Sequence, residues 1–355
     1  MAIPTEPIGS VPRPDYLLEA MKRHGEGALD ARGLSDAMDR AVAETVAAME
    51  ATGSPVITDG EQSKPSFVSY PIDGLEALAL DGVVIPFADG HTRQLPRLTA
   101  GPLRYMTYAG TFVAQARRTA TRPLKQAVIA PSAISLLYPQ DGIEGYAREA
   151  FLEDLITESA TDIRTAFNAG AESVQIDFTE GRLACKLDPS RALLRDFIAL
   201  NNAVLDRFDE AERQSIGLHT CPGGDQDSTH SADVDYAELL PELFGIKAGR
   251  FFIQMASEAD RPRVLDIIAR ERRPEQTVYI GVIDPIDEAV ESAETVRDRT
   301  LEAVEHLGPE RFGTTDDCGF SPFGDDTSTA RETAFAKIEA RVEGTRLAAE
   351  KLGMA

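Results

Sequence analysis

The sequence predicts an α/β fold: a single (β/α)8 barrel over residues 1–355, with an insertion between its second and third strands. Eight short β-branched or apolar runs alternate with long amphipathic stretches, the pattern of a parallel sheet covered by helices. Helix punctuation agrees, since Asn168-Ala169-Gly170 closes one helical stretch just before a strand and Leu307-Gly308-Pro309 closes another. The competing arrangement is an open doubly wound sheet. A Gly-x-Gly-x-x-Gly after the first strand would favour it, and none is there.

In chain order, strand 6–10 is followed by helix 34–51 and strand 56–59. Residues 62–108 are too many for an ordinary connection and mix Pro, Gly and strand signals, so they form the insertion. Helix 109–121 leads into strand 125–130, and helix 144–169 into strand 173–177. Helix 190–212 precedes strand 215–219, helix 236–244 precedes strand 251–255, and helix 261–270 precedes strand 277–283. Helix 293–306 leads to the eighth strand, 312–315, and helix 329–352, stopped by Gly353, covers it. No repeat, low-complexity tract or linker interrupts the pattern, so one domain is expected.

Acidic residues number 59 against 36 basic ones, a formal net charge of −23. That excess repels nucleic acid and anionic membranes, so neither is an expected partner. No apolar run nears the roughly 20 residues that span a bilayer. The first six residues lack the basic and apolar regions of a signal peptide, and a cytoplasmic location is expected. The chain is long enough to bury a large core without disulfides. Its three cysteines, Cys185, Cys221 and Cys318, are too few for a disulfide framework.

A barrel carries its active site at the C-terminal ends of its strands. Here those ends read Gly9-Ser10, Asp59-Gly60-Glu61, Asp177 to Glu180, His219-Thr220-Cys221, Gln254 to Ser257, Asp284, and Asp316 to Gly319. Carboxylates alone would say little. His219 and Cys221 say more, because a spacing of two at a strand end puts both side chains on one face. Cys318 follows the eighth strand, and ring closure brings its loop to the same mouth. One histidine and two thiols form a nitrogen–sulfur set that suits Zn²⁺ with one open position. The plain alternative is a hydrogen-bonded histidine beside two packing cysteines, and spacing alone leaves both open. His24, His91, His230 and His306 have no such company and are expected at the surface or in loops. Cys185, in a charged stretch, is expected to be a structural loop residue.

Taken together, Glu6 to Ser10, Asp59 to Glu61, Gln175 to Asp177, His219 to Cys221, Gly281 to Asp284 and Asp317 to Gly319 resemble the cobalamin-independent methionine synthase family. The resemblance is to the C-terminal catalytic barrel of those enzymes and spans nearly the whole chain. It implies zinc ligation and catalysis by His219, Cys221 and Cys318. It further implies that Ser10 holds the carboxylate of homocysteine and that Glu61 and Asp177 grip its ammonium. Ser10 could otherwise cap a turn, and Asp177 could pair with Arg182 or Lys186. The same superfamily includes short methionine synthases that use a corrinoid methyl donor and epoxyalkane:coenzyme M transferases, which open an epoxide with a metal-held thiolate.

Two departures bear on the substrate. The family's sixth strand carries a glutamate ligand, whereas here that place falls on Met255 or Gln254, with Glu258 nearby but out of register. Folate-dependent members stack the pterin on tryptophan and place basic residues after Asp-Cys-Gly. This chain has no tryptophan and continues with Phe320-Ser-Pro-Phe-Gly-Asp-Asp326, a poor match for polyanionic folate. The sequence reading is therefore zinc-dependent S-methyl transfer to homocysteine or a related thiol from a non-folate donor such as a methylcorrinoid, with a corrinoid protein as a conceivable partner. Epoxide opening by a sulfonate thiol is the alternative. It calls for a cation at the mouth, from Arg13, Lys64, Arg104 or Arg182, and for a general acid, with Tyr70, Tyr105 and Tyr108 as candidates. A non-catalytic barrel with structural zinc is the third reading.

Overall fold

The computed structural model describes residues 2–354. Six parallel strands form one sheet: β1 (Lys125–Ile129), β2 (Ser173–Asp177), β3 (Ile216–Thr220), β4 (Arg250–Ile253), β5 (Thr277–Ile283) and β6 (Phe312–Asp316). They lie side by side in chain order. Nearly every residue of these strands is buried, as both faces of a helix-covered parallel sheet require.

The predicted strands 6–10 and 56–59 are not regular strands. Thr5 makes a single parallel bridge to Thr314 on β6, and Ile57 makes one to Leu124 beside β1. The two segments meet through Val11 N–H donating to Gly60 O (3.1 Å) and Thr58 Oγ1 donating to Gly9 O (2.8 Å), which closes the ring. Proline and side-chain bonding explain the irregularity. Pro4 and Pro7 bring no N–H to a ladder, and Thr58 spends its hydroxyl on a carbonyl that a ladder would otherwise engage.

The helices are α1 (Asp15–Gly25), α2 (Ala31–Ala51), α3 (Gly110–Ala116), α4 (Pro131–Ser135), α5 (Arg148–Asn168), α6 (Glu180–Leu187), α7 (Ala192–Leu205), α8 (Glu210–Arg213), α9 (Tyr236–Leu243), α10 (Arg261–Glu271), α11 (Ala293–Leu307) and α12 (Arg331–Lys351). The predicted helix 190–212 is two helices. Asp209 stops the run by capping α8, its side chain accepting from Glu212 N–H while Glu212 returns to the Asp209 N–H. Helices α1, α4 and α6 were not foreseen. Cys185 consequently sits buried on α6 and not in a loop. Among the described residues, no helix is long and apolar enough to cross a membrane.

Residues 62–108 carry a single turn of 3-10 helix at Tyr70–Ile72 and two short antiparallel ribbons, pairing 78–79 with 97–98 and 84–86 with 92–94. An Asp89-Gly90 turn reverses the second ribbon, with Gly90 at φ 95° as such turns demand. This stretch has an apolar cluster of its own, including Tyr70, Leu98 and Leu103, packed on Phe112, Phe151 and Leu155 of α3 and α5.

The barrel interior is charged as well as apolar. Glu6 Oε1 accepts from Arg250 (3.0 Å), and its other oxygen lies 3.8 Å from Lys125 Nζ. Lys125 donates to Gln175 (2.8 Å), which in turn donates to Asp177 (2.7 Å). On the side of α12, Arg341 pairs with Asp316 at 2.6 Å, both fully enclosed.

Candidate metal centre and its chamber

His219 and Cys221 leave the end of β3, and Cys318 follows β6. One ligand atom from each lies within 4.8 Å of the others. The two sulfurs are 3.2 Å apart. His219 Nδ1 stands 3.3 Å from the Phe252 carbonyl, which can only accept, so Nδ1 carries the proton. That leaves Nε2 as a bare lone pair, and it is buried without a partner. A histidine oriented through its far nitrogen and presenting an unused lone pair to two thiols fits a zinc ion.

Without a cation the three groups share protons among themselves. Hydrogen bonding to Cys221, together with burial, holds the Cys318 thiol well above its ordinary range. Burial by itself would lower the His219 imidazole, but the neighbouring Cys318 thiol leaves it raised. A divalent ion would reverse the sign at both sulfurs.

The neighbouring residues hold these ligands in place. Asp317 accepts from the N–H groups of Met255, Ala256 and Ser257, each at 2.8 Å, and so ties the Cys318 loop to the end of β4. Gly319 is required by close approach, since a Cβ there would lie 2.1 Å from Ser10 Oγ. Gly223, at φ 72°, lets the chain turn after Cys221 where a Cβ would strike the His230 ring.

Ser10, Glu61 and Asp177 line the same chamber as His219 and Cys318, and all three are buried. Glu61 takes a left-handed backbone (φ 57°), a strained conformation typical of functional positions. Arg13 secures that turn by donating to the carbonyls of Glu61 (2.8 Å) and Lys64 (2.7 Å). Burial pushes the Glu61 carboxyl up to about 7; Lys64, 3.5 Å away, opposes this, while Asp177 and Asp59 add to it. Burial also raises Asp177 against the pull of His219. Asp177 is paired with neither Arg182 nor Lys186, which engage Glu258 (2.7 Å) and Asp233 (2.9 Å) instead.

Several expectations change. Gln254 accepts from Arg182 at 3.1 Å and Glu258 is in its ion pair, so neither joins the His-Cys-Cys set. Tyr70, Tyr105 and Tyr108 bond to Asp162, Ser159 and Glu158 away from the chamber, so none can act there as an acid. His230 lies in a loop, as expected, but is buried and lines the chamber; burial pushes it down to about 4. Glu180, in the first turn of α6, also lines the chamber and was not singled out from sequence.

The chamber has a volume of about 730 Å³, the size that encloses a drug-sized molecule. Its roof is the 84–94 hairpin, which contributes Ile85 and Phe87. Arg93 fastens that hairpin, meeting Asp225 (2.5 and 3.0 Å) and Asp325 (2.9 and 3.0 Å) and stacking on Phe323. Asp225 and Asp325 lie on the loops that follow Cys221 and Cys318.

A parallel α/β ring with a nitrogen–sulfur metal set and carboxylates at one mouth defines a metal-centred transferase class. The family described as the cobalamin-independent synthase catalytic domain matches residues 3–342, and the chain belongs to that family. It is a methyltransferase of the methionine synthase family with a His-Cys-Cys set suited to zinc. It is 22% identical over 350 residues to a methionine synthase of Saccharolobus islandicus, covering 99% of this chain and 96% of that one. It is 23% identical over 352 residues to a methionine synthase of Sulfolobus acidocaldarius, covering 99% and 93%. Its fold is similar to that of a B12-independent methionine synthase from Shewanella sp. W3-18-1 in complex with selenomethionine, with a TM-score of 0.79, 18% identity and full coverage of both chains.

Proposed function

We propose that this chain is one (β/α)8 catalytic barrel spanning residues 1–355, with 62–108 inserted between its second and third strands. It acts in the cytoplasm and methylates the sulfur of homocysteine or a related amino-acid thiol, using a donor other than folate, with a methylcorrinoid and its carrier protein among the candidates. One observation carries the reading: the His219, Cys221 and Cys318 set opens onto the chamber that Ser10, Glu61 and Asp177 line. Sulfur chemistry and amino-acid recognition therefore share one enclosure.

In this reading His219, Cys221 and Cys318 hold zinc, which when bound keeps a substrate thiol deprotonated yet nucleophilic. Glu61 and Asp177 receive the ammonium, whose charge offsets the burial that both carboxyls otherwise resist. Ser10 orients the carboxylate. Holding sulfur and electrophile together accounts for much of the rate. Folate is disfavoured because Arg93, the guanidinium in the chamber wall, is already engaged by two carboxylates.

An epoxide as alkyl source is the second reading, favoured by the apolar roof of Ile85, Phe87, Phe67 and Leu95. A sulfonate thiol is less well served. Arg13, Lys64, Arg104 and Arg182 are occupied by backbone carbonyls, Glu61, Asp154 and Glu258. A purely structural zinc is disfavoured by the chamber beside the cluster. The deciding experiment loads the protein with zinc and offers homocysteine, cysteine and coenzyme M against methylcobalamin, methyltetrahydrofolate and a short epoxide. Methionine from homocysteine and a non-folate donor is expected; thioether from coenzyme M alone would overturn the amino-acid assignment.

A further inference from the structure

The chamber holds a third carboxyl that ligand recognition does not use. Glu180 lies three residues past Asp177, is buried, and lines the same enclosure as His219 and Cys318. A directed chain of hydrogen bonds fixes one of its oxygens. Asn201 Nδ2 donates to the Phe197 carbonyl (2.9 Å) and to Ser132 Oγ (2.7 Å). Asn201 takes one of the two lone pairs of Ser132 Oγ, and the Ser132 hydroxyl donates to Glu180 Oε1. Oε1 is therefore an acceptor, and the proton of a neutral Glu180 resides on Oε2. Among the described residues no side chain hydrogen-bonds to that oxygen.

We propose that Glu180 is the general acid of the chamber, handing a proton from Oε2 to the oxygen or nitrogen that leaves the transferred carbon. This rests on the thiol-alkylation reading and narrows its donor. As sulfur attacks, the S–C bond forms and the bond from carbon to oxygen or nitrogen breaks. Its electron pair stays on the departing atom, which takes the Glu180 proton. The proton lost by the thiol on ionising restores the acid through solvent. With an epoxide the departing oxygen stays on the neighbouring carbon, so the net reaction is thiol plus epoxide to one product, a β-hydroxythioether. A corrinoid departs without needing a proton, so this role belongs to the second reading above, in which the alkyl source is an electrophile with a basic leaving atom, such as an epoxide.

Electrostatics agree with the geometry. Burial pushes the Glu180 carboxyl up to about 7; the Ser132 bond and the backbone N–H groups of Glu180 and Ala133 oppose this, and Asp177 adds to it. The elements packed against it, α4 and α7, bring the neutral Ser132 and Asn201. A proton is therefore present at working pH and readily given. The other candidates lack one to give. His230 is held neutral, Lys64 is spent on the Ala127 carbonyl (2.8 Å) and Glu61, and Lys22 is exposed on α1 at the outer edge of the lining.

The test compares the parent with Glu180→Gln and Glu180→Asp in two measurements. In infrared difference spectra of the zinc-loaded proteins, the parent should show the C=O stretch of a protonated carboxyl that fades as pH rises through about 7. Glu180→Gln should lack that band; its persistence in the variant, or its absence from the parent, overturns the proposal. In turnover with homocysteine and a short epoxide, Glu180→Gln should lose on the order of 10²- to 10⁴-fold in kcat. It should also lose the parent's alkaline decline, with zinc content unchanged and part of the rate restored in Glu180→Asp. Equal rates in parent and Glu180→Gln, or an equal loss with methylcobalamin, would overturn the proposal. Failure of the underlying reading looks different: no thioether from the parent with any electrophile, while the infrared band remains.

Discussion

The barrel interior handles charge in two ways. In its lower part acids and bases alternate, with Glu6 between Arg250 and Lys125, and Asp316 against Arg341. At the mouth, Glu61, Asp177 and Glu180 line a chamber whose lysine, Lys22, is exposed on α1, while Lys64 stands behind Glu61 at 3.5 Å. In the lower set every carboxylate has a cation beside it, two acids against three bases, so no ligand cation is called for. The upper set is left with negative charge that burial resists, and a metal ion or a substrate ammonium completes it. Surplus buried charge, more than the number of polar residues, marks the working end.

The contrast is broken most severely at the metal set. Cys221→Ser and Cys318→Ser should each lose zinc and abolish thiol alkylation while circular dichroism stays that of the parent. Zinc near one per chain in either variant would refute the ligand assignment.

Next comes the lower network. Arg341→Leu strands Asp316 as a buried, unpaired charge and should cost about 3–5 kcal/mol in urea unfolding. An unchanged midpoint would show that the lower pairs are not balanced as described.

At the mouth the sign is opposite. Glu61 has its folded pKa raised to about 7, above the ordinary 4.5. The stability carried by its neutral form is full below about 4.5 and is lost as pH rises through about 7. Glu61→Gln cannot ionise, so its stability relative to the parent should grow across that window by on the order of 2–3 kcal/mol. Its affinity for homocysteine should fall. A pH-independent difference would remove the idea of surplus charge.

Arg93→Ala should have the smallest effect, about 1 kcal/mol, because the guanidinium is partly solvated. Faster hydrogen exchange should appear in the 84–94 hairpin, and global unfolding at unchanged rates of hairpin exchange would argue against its role as fastening.

How far the sequence foretold this molecule depends on what each signal encodes. Strands 173–177 and 277–283 are read at their observed bounds, since buried parallel strands are continuous apolar runs. The grouping of His219, Cys221 and Cys318 was legible because a spacing of two and an Asp-Cys-Gly turn are local patterns. Strands 6–10 and 56–59 were over-read because apolar residues around Pro7 and Thr58 bond through side chains and neighbours instead of a ladder. Glu180 and Arg93 were missed for another reason. Their importance lies in contacts with Ser132, Asp225 and Asp325, which stand 48, 132 and 232 positions away. No local periodicity records such partnerships.

The hairpin clasp has a practical consequence for redesign. Ile85 and Phe87 set the shape of the chamber roof, whereas Arg93 anchors that roof to the segments bearing both thiols. Trimming the two apolar tips would enlarge the space for a bulkier alkyl group without loosening the ligands. Removing the clasp would gain the same room only by slackening the thiols themselves. Substrate range and metal retention can thus be adjusted separately, by mutating the roof and sparing its fastening.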